Sequence, residues 1–459
     1  MSASLPVRLW YGRLFRTEIK ATFFLALPLM LGQLSSMLMG VVGTMMAGRL
    51  GATALAASGI VGVVFAVSML LVWGSVRMVP TPVAEAHELR NGERVKTLVM
   101  AGMMMGLTLI LVSCMLLTLG IHFFDVLKQD PEVAVLAKSY LKIMIYSLPV
   151  LVLYAILVNL VDAFSYVRIT MVLSFVGLGI DILLNWLFMF GRYGLPKMGI
   201  DAIAMNTGIS HAIMAVGLLF FLLGKKELHY IRTAKLHWSK VWKQTTTFIQ
   251  LGFPSAMQML FEFAAFGAGT IIIGQISKTE QAAHQIALNL VSASYVTIMG
   301  VSTAGMIRIG QALAYNSKAR VWTAGVATLV LSMAIMLLPA ALFLFFPKTV
   351  VGLYISDASV VGIAISLMLY AGLFQLADAA QAASISLLRA LSDIKIPALL
   401  SFCAFWVVGL PLGYWLAVPQ GWNAKGIWMG YLVALILQAI LFGVRFFTLV
   451  KQKRFHVET

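Results

Sequence analysis

Three acidic side chains stand where a water-soluble protein would not place them. Glu262 sits in M-L-F-E-F-A-A-F, Asp378 in F-Q-L-A-D-A-A-Q and Asp181 in G-L-G-I-D-I-L-L-N. A charge at the centre of a bilayer-crossing helix costs roughly 2.5–3.5 kcal/mol even on lenient insertion scales, so each acid needs an offset. Two carboxylates in one dry site cannot both stay charged without a counter-ion. Such a pair holds either a proton or a metal cation. One negative site with two competing occupants is the minimal chemistry of antiport. If the helices of Glu262 and Asp378 face each other, a single Na⁺ or proton is shared between them. Asp181 and Asn185 are four residues apart, hence on one helical face. They offer oxygen donors suited to a hard cation such as Na⁺. The plainer readings are a carboxylate hydrogen-bonded within the bundle and a polar pair gluing helices together.

A polar group follows Glu262 after a short break: Glu280, Gln281, His284, Gln285 and Asn289. A lone histidine is more often a satisfied hydrogen-bonding residue than a ligand or proton carrier. His284, Gln285 and Asn289, with Gln375 one turn before Asp378, are therefore expected to line or support a substrate cavity. Glu18, Glu85, Glu88, Glu93, Asp125, Asp162, Glu227, Asp357 and Asp393 fall near span ends or in connections, and a solvated face is expected for them. No His/Cys cluster has zinc spacing. No nucleophile elbow or nucleotide-binding loop stands on a suitable element. The expectation is a protein that is not an enzyme and needs no cofactor. Without a nucleotide loop the energy must come from an ion gradient, and the residues do not choose Na⁺ over H⁺. Cys114 and Cys403 lie in apolar runs and read as packing residues.

The elements that must position these acids are membrane helices. Of 459 residues, 61% are hydrophobic and only 11% charged, against about a quarter charged in a soluble chain. Apolar runs of about 20 residues, the length that crosses a bilayer, recur twelve times. The acids fall in the fifth run (169–190), the seventh (248–276) and the tenth (361–388). The net charge of +16 is spread between the runs and not gathered on one domain, which argues against a nucleic-acid partner. Most of the 33 Lys and Arg fall on the side that holds both termini, so that side is expected to be cytoplasmic. The basic N-terminus has no cleavage site after a short apolar core, and a removed signal peptide is not expected.

The chain also repeats itself. Pro28–Ile60 aligns without gaps on Pro254–Ile286, with identities at Pro28/Pro254, Gly43/Gly269, Thr44/Thr270, Gly48/Gly274, Ala56/Ala282 and Ile60/Ile286 among others. The organisation expected is a six-helix bundle at 1–223, a basic cytoplasmic linker at 224–247 and a second six-helix bundle at 248–459. Six is even, so the repeats run parallel about an axis along the membrane normal, a plan common in secondary transporters, with the substrate path between them. Pro28 and Pro254 interrupt the first helix of each half and are candidate hinges, a static bend being the plainer reading. Many Met and aromatic residues would suit a pocket for apolar cations.

Several stretches resemble the MATE (multidrug and toxic compound extrusion) family, NorM-like branch. They are G-F-P at 252–254, Glu262, A-A-H-Q-I-A-L-N at 282–289, Y-A-G-L-F-Q-L-A-D-A-A-Q at 370–381, S-L-L-R-A-L-S-D at 386–393 and G-L-P-L-G-Y at 409–414. L-A-L-P at 25–28, M-A-G-R-L-G at 46–51 and G-L-P-K-M-G-I at 194–200 continue the likeness in the first half. The resemblance implies two pseudo-symmetric six-helix bundles in a V shape. It implies extrusion of organic cations and drugs in exchange for Na⁺ or H⁺, from a bacterial inner membrane, by a monomer. Carried over by position, Glu262 and Asp378 match the second-half carboxylates the family uses for cation coupling, and Asp181, Asn185 and Thr207 match its first-half polar positions. One departure stands out. The family's first helix carries an Asp where this chain has Gly43, in V-G-T-M-M-A-G. Either the first-half site is lost, or Asp181 restores the carboxylate from the fifth helix; the second reading is preferred. A lipid or glycolipid flippase of related fold would instead call for a basic lining. A non-transporting sensor or membrane enzyme would call for a catalytic constellation, and neither is apparent in the sequence.

Overall fold

A computed structural model of the chain describes residues 7–126, 130–355 and 357–452. Among them no strand occurs, and 12 helices are long and apolar enough to cross a bilayer. In the first half these are α1 (Val7–Leu50), α2 (Ala52–Val76), α3 (Gly92–Val126), α4 (Pro131–Ala163), α5 (Val167–Phe188) and α6 (Asp201–Gly224). In the second they are α7 (Trp238–Ile276), α8 (Lys278–Ala314), α9 (Lys318–Phe345), α10 (Ala358–Ala390), α11 (Lys395–Ala417) and α12 (Ala424–Gln452). The chain is an all-α polytopic membrane protein.

Local signals set many of the helix ends. Ser277 accepts a hydrogen bond from the Glu280 amide at 3.0 Å and so caps α8. Asp357 caps α10 by accepting from the Ser359 amide at 2.9 Å, and the Ser359 hydroxyl and amide hold its carboxyl below the usual range. Helix α7 begins ten residues before its apolar run, inside the basic connection. Lys240 and Lys243 lower the hydropathy there, yet Val241, Thr245 and Phe248 are buried along one helical stripe. The rest of that connection is docked. Lys96 donates to the Arg232 and Ala234 carbonyls at 3.0 and 2.8 Å, the His87 ring lies 2.7 Å from the Tyr230 hydroxyl, and Arg232 donates to Leu222 O at 3.0 Å at the end of α6.

The chain folds into two compact units, one made of residues 31–256, the other of 1–30 with 257–459. Both divisions fall just past Pro28 and Pro254. Within the first unit, a Cβ on Gly74 of α2 would come 2.5 Å from Ala256 Cα of α7. Within the second, a Cβ on Gly300 of α8 would come 2.5 Å from Met30 N of α1. The two contacts are partners under the repeat offset. The leading helix of each sequence half therefore packs, up to its proline, on the second helix of the other half. Glycine is required because the two helices approach until only hydrogen fits between them. Replacing Gly300 by Val is expected to cost about 1–3 kcal/mol through overpacking, read as a lower thermal midpoint. The same change at Gly59, whose added Cβ meets nothing within 4 Å, should leave the midpoint within a degree or so of wild type on this scale.

Two acids expected on solvated faces are buried. Glu18 is 5% exposed and takes a forked ion pair from Arg308, with contacts of 2.8 and 3.0 Å. Asp162 is 3% exposed and accepts from Thr170 Oγ1 at 2.8 Å. Both sit toward helix ends, but a helix end is a surface only where no neighbour covers it.

Candidate functional site

The second unit gathers its polar side chains around Glu262. Gln258, one turn earlier on α7, donates to Glu262 Oε1 at 2.6 Å. Gln381 of α10 donates to the same oxygen at 2.9 Å, and Ser401 of α11 at 3.5 Å. Gln438 of α12 is tied in by Gln381 at 2.9 Å and Ser401 at 3.4 Å. Asp378 lies one turn before Gln381 on α10, is 5% exposed, and has Glu262 as the charge acting on it. The structure thus sets two of the three acids that the sequence singled out within electrostatic reach of each other. Local sequence explains the alignment: Gln375, Asp378 and Gln381 recur every three residues, one stripe of a helix.

A buried cation belongs to this network. Arg389, 5% exposed near the end of α10, donates to Gln258 Oε1, whose amide in turn donates to Glu262. The sequence had suggested no clearly intramembrane Lys or Arg; α10 carries Arg389 inward because its last turn is covered. Gln258, Gln381, Ser401, Gln438 and Arg389 were all missed as site residues. The i, i+4 spacing of Gln258 and Glu262 was a usable signal, and so was a lone Gln438 in an apolar run.

His284 is fully buried, and both ring nitrogens are engaged. Trp428 Nε1 donates to its Nδ1 at 3.1 Å, and its Nε2 faces Thr270 Oγ1 at 2.9 Å. An indole can only donate, so Nδ1 must accept, and the proton is on Nε2. His284 thereby anchors an aromatic group in which Phe374 lies 6.0 Å from Phe266 and 5.8 Å from Trp428, centroid to centroid. A phenylalanine in place of His284 would strand the buried indole N–H, costing about 1–3 kcal/mol. The expected result is a lower thermal midpoint with the ratio of pH-driven to Na⁺-driven uptake unchanged; selective loss of the pH-driven part would make His284 a proton carrier. Gln285 and Asn289 are exposed, and among the described residues Asn289 bonds only along its own helix, to Gln285 O at 2.9 Å. Neither joins the carboxylate network. Gln375 is buried, accepts from Ser294 at 3.0 Å, and leaves Nε2 without a partner among the described residues.

The first unit holds the second site. Asn185 donates to Asp181 Oδ2 at 2.9 Å, and Asn206 of α6 donates to Asn185 Oδ1 at 3.0 Å. Asp181, Asn185, Asn206 and Ser210 are at most 1% exposed. Asp181 Oδ1, Asn206 Oδ1 and Ser210 Oγ complete no well-formed hydrogen bond among the described residues, although the Thr207 and Ser210 hydroxyls stand within reach of the Asp181 carboxyl. Buried oxygens with unmet acceptor capacity are costly, and here they are of the type that a hard cation takes. Thr207, expected in this set, is a polar neighbour of Asp181 and also lines a cavity of about 560 Å³ with Ser36, Gly43, Tyr140 and His211. Asn206 and Ser210 were missed, although their four-residue spacing repeats that of Asp181 and Asn185. Among the described residues no group of three or more His, Cys, Asp and Glu side chains could hold a metal.

The MatE family model matches residues 28–187 and 254–415. The "Probable multidrug resistance protein NorM" of Agrobacterium fabrum is 30% identical over 443 residues, 95% of each chain. The "Multidrug resistance protein NorM" of Vibrio cholerae is 28% identical over 446 residues, 95% of this chain and 97% of its own. The crystal structure of the eukaryotic MATE transporter AtDTX14 superposes with a TM-score of 0.85 at 22% identity, covering 96% of this chain and 97% of its own. An outward-facing multidrug resistance MATE family transporter of the MOP superfamily gives 0.84 at 18% identity, covering 96% and 98%.

Proposed function

The chain belongs to the MatE family, and on that premise we propose that it is a secondary active multidrug efflux transporter that exports organic cations in exchange for Na⁺ or H⁺. The carrying observation is the polar network around half-buried Glu262, whose charge acts on buried Asp378. Amide and hydroxyl donors hold Glu262 in place, and Na⁺ or a proton would bind there by turns. Na⁺ or H⁺ is here a substrate of the cycle and not a resident cofactor. Asp181, with Asn185, Thr207, Asn206 and Ser210 around it, is the corresponding cation site of the first unit. The adjoining cavity, lined by Met39, Met144 and Tyr140, offers thioether and aromatic surface to an apolar cation. Names of the relatives from Agrobacterium and Vibrio support the drug substrate. Alternating access would bend α1 and α7 at Pro28 and Pro254, where each helix passes from one unit to the other. The protein would lie in a bacterial inner membrane as a monomer. Its termini and its basic 224–247 connection would be cytoplasmic, the latter joining the 1–223 and 248–459 bundles.

Proteoliposomes test this. A fluorescent organic cation should accumulate against its gradient when a Na⁺ gradient, a pH gradient or either one is imposed. No accumulation under both gradients, with protein shown to be folded, overturns the reading.

A further inference from the structure

A cavity of about 510 Å³ opens at the end of the second unit where α8, α10 and α12 begin. None of its lining residues belongs to the Glu262 network. Its wall carries an acid, Glu280, a base, Lys425, two aromatic rings, Tyr370 and Trp422, and two small polar groups, Ser366 and Asn423. The rim is preformed. Trp422 N and Asn423 N donate to the Leu416 and Ala417 carbonyls at 3.0 and 3.1 Å, and Asn423 is held at φ 53°. Asparagine tolerates the left-handed region and suits such a turn.

The charges explain what this shape is for. Glu280 uses Oε2 to accept from the Ala424 amide at 3.2 Å, and Oε1 bonds to no described residue. Lys425 forms no ion pair with Glu280 or with any other described residue. Opposite charges on one cavity wall that do not pair with each other leave both ends for a molecule that bridges them. The volume suits a drug-sized ligand. Tyr370 and Asp378 are both on α10, two turns or about 12 Å apart at 1.5 Å per residue. Phe374 lies between them, packed on Phe266 and Trp428. An aromatic layer therefore divides this cavity from the carboxylate network.

We propose that this cavity is a second ligand subsite, which takes amphoteric aromatic molecules, with the ammonium on Glu280, the carboxylate on Lys425 and the ring on Trp422. It rests on the transport reading for its role, as an outer station before or after the deep site. It does not rest on that reading for its binding.

The test uses a matched pair of probes on the full-length protein in nanodiscs at low salt. Nε-dansyl-lysine carries an ammonium and a carboxylate; dansylcadaverine is the same molecule without the carboxylate. Fluorescence titration is expected to show dansyl-lysine binding about tenfold more tightly, one charge-assisted contact's worth. Lys425→Gln should erase that preference. Glu280→Gln, whose amide oxygen still accepts from Ala424, should weaken dansyl-lysine about tenfold. Equal affinity for both probes in wild type, a preference that survives Lys425→Gln, or no effect of Glu280→Gln each overturns the proposal. Gradient-driven uptake is measured separately. Absent uptake with Lys425-dependent binding sinks the transport reading and leaves the subsite standing; uptake without that preference does the reverse.

Discussion

Glu262→Gln is expected to abolish gradient-driven uptake while leaving the protein folded. Glutamine keeps an acceptor where Gln258, Gln381 and Ser401 now donate, so the hydrogen-bonded frame survives. What disappears is the charge. Truncating one partner of a buried, hydrogen-bonded charge pair typically costs about 2–5 kcal/mol, roughly thirtyfold to several thousandfold in cation affinity. Asp378→Asn should have the same effect, and the double variant should be little worse than either, because both acids serve one cation and their losses do not add. The measurements are initial uptake rates under imposed Na⁺ and pH gradients, with thermal midpoints alongside. Near-wild-type coupling in both single variants would remove these acids from the mechanism.

The second large effect is expected in the first unit, and it can be reversed. Asp181→Asn keeps an acceptor for Asn185 but leaves that unit without its intramembrane charge beside Asn206 and Ser210. Uptake should fall about tenfold or more. Gly43 then offers a rescue. A Cβ added there meets only Ile203 Cγ2, at 3.4 Å, and both residues line the same cavity. An Asp at position 43 should therefore fit and place a carboxylate in the cavity that Thr207 also lines. Asp181→Asn combined with Gly43→Asp is expected to recover much of the lost rate, whereas Gly43→Asn in the same background should not. Equal rates for the Asp and Asn rescues would mean that charge at this place is irrelevant. Unaltered coupling in Asp181→Asn alone would mean that the Glu262 network suffices.

Much of this was legible in the chain. Hydropathy placed the twelve spans because bilayer thickness fixes how long an apolar run must be. The offset joining Pro28 to Pro254 disclosed two halves. Glu262, Asp378 and Asp181 announced themselves because a charge in such a run has no innocent explanation in water-soluble terms. The spacing of Asp181 and Asn185 assigned both side chains to one helix face, since 3.6 residues per turn is a property of one helix alone.

Whatever depends on a second helix was not legible. Glu18 and Asp162 look solvent-facing by position along their spans, yet Arg308 covers one and Thr170 the other. Arg389 looks like a helix-end cation, yet it reaches Gln258 inside the network. Ser401 and Gln438 come from spans with no acid to mark them. Gly74 and Gly300 are two glycines among 38, and only the packing shows that Ala256 and Met30 press on them. The sequence by itself determined the number of spans, the repeat and the acids that must be offset, because those follow from the cost of each residue in lipid. Only the tertiary structure decided which groups offset them and how the leading helices exchange partners, because those depend on which residues far apart in the chain come within a few ångströms.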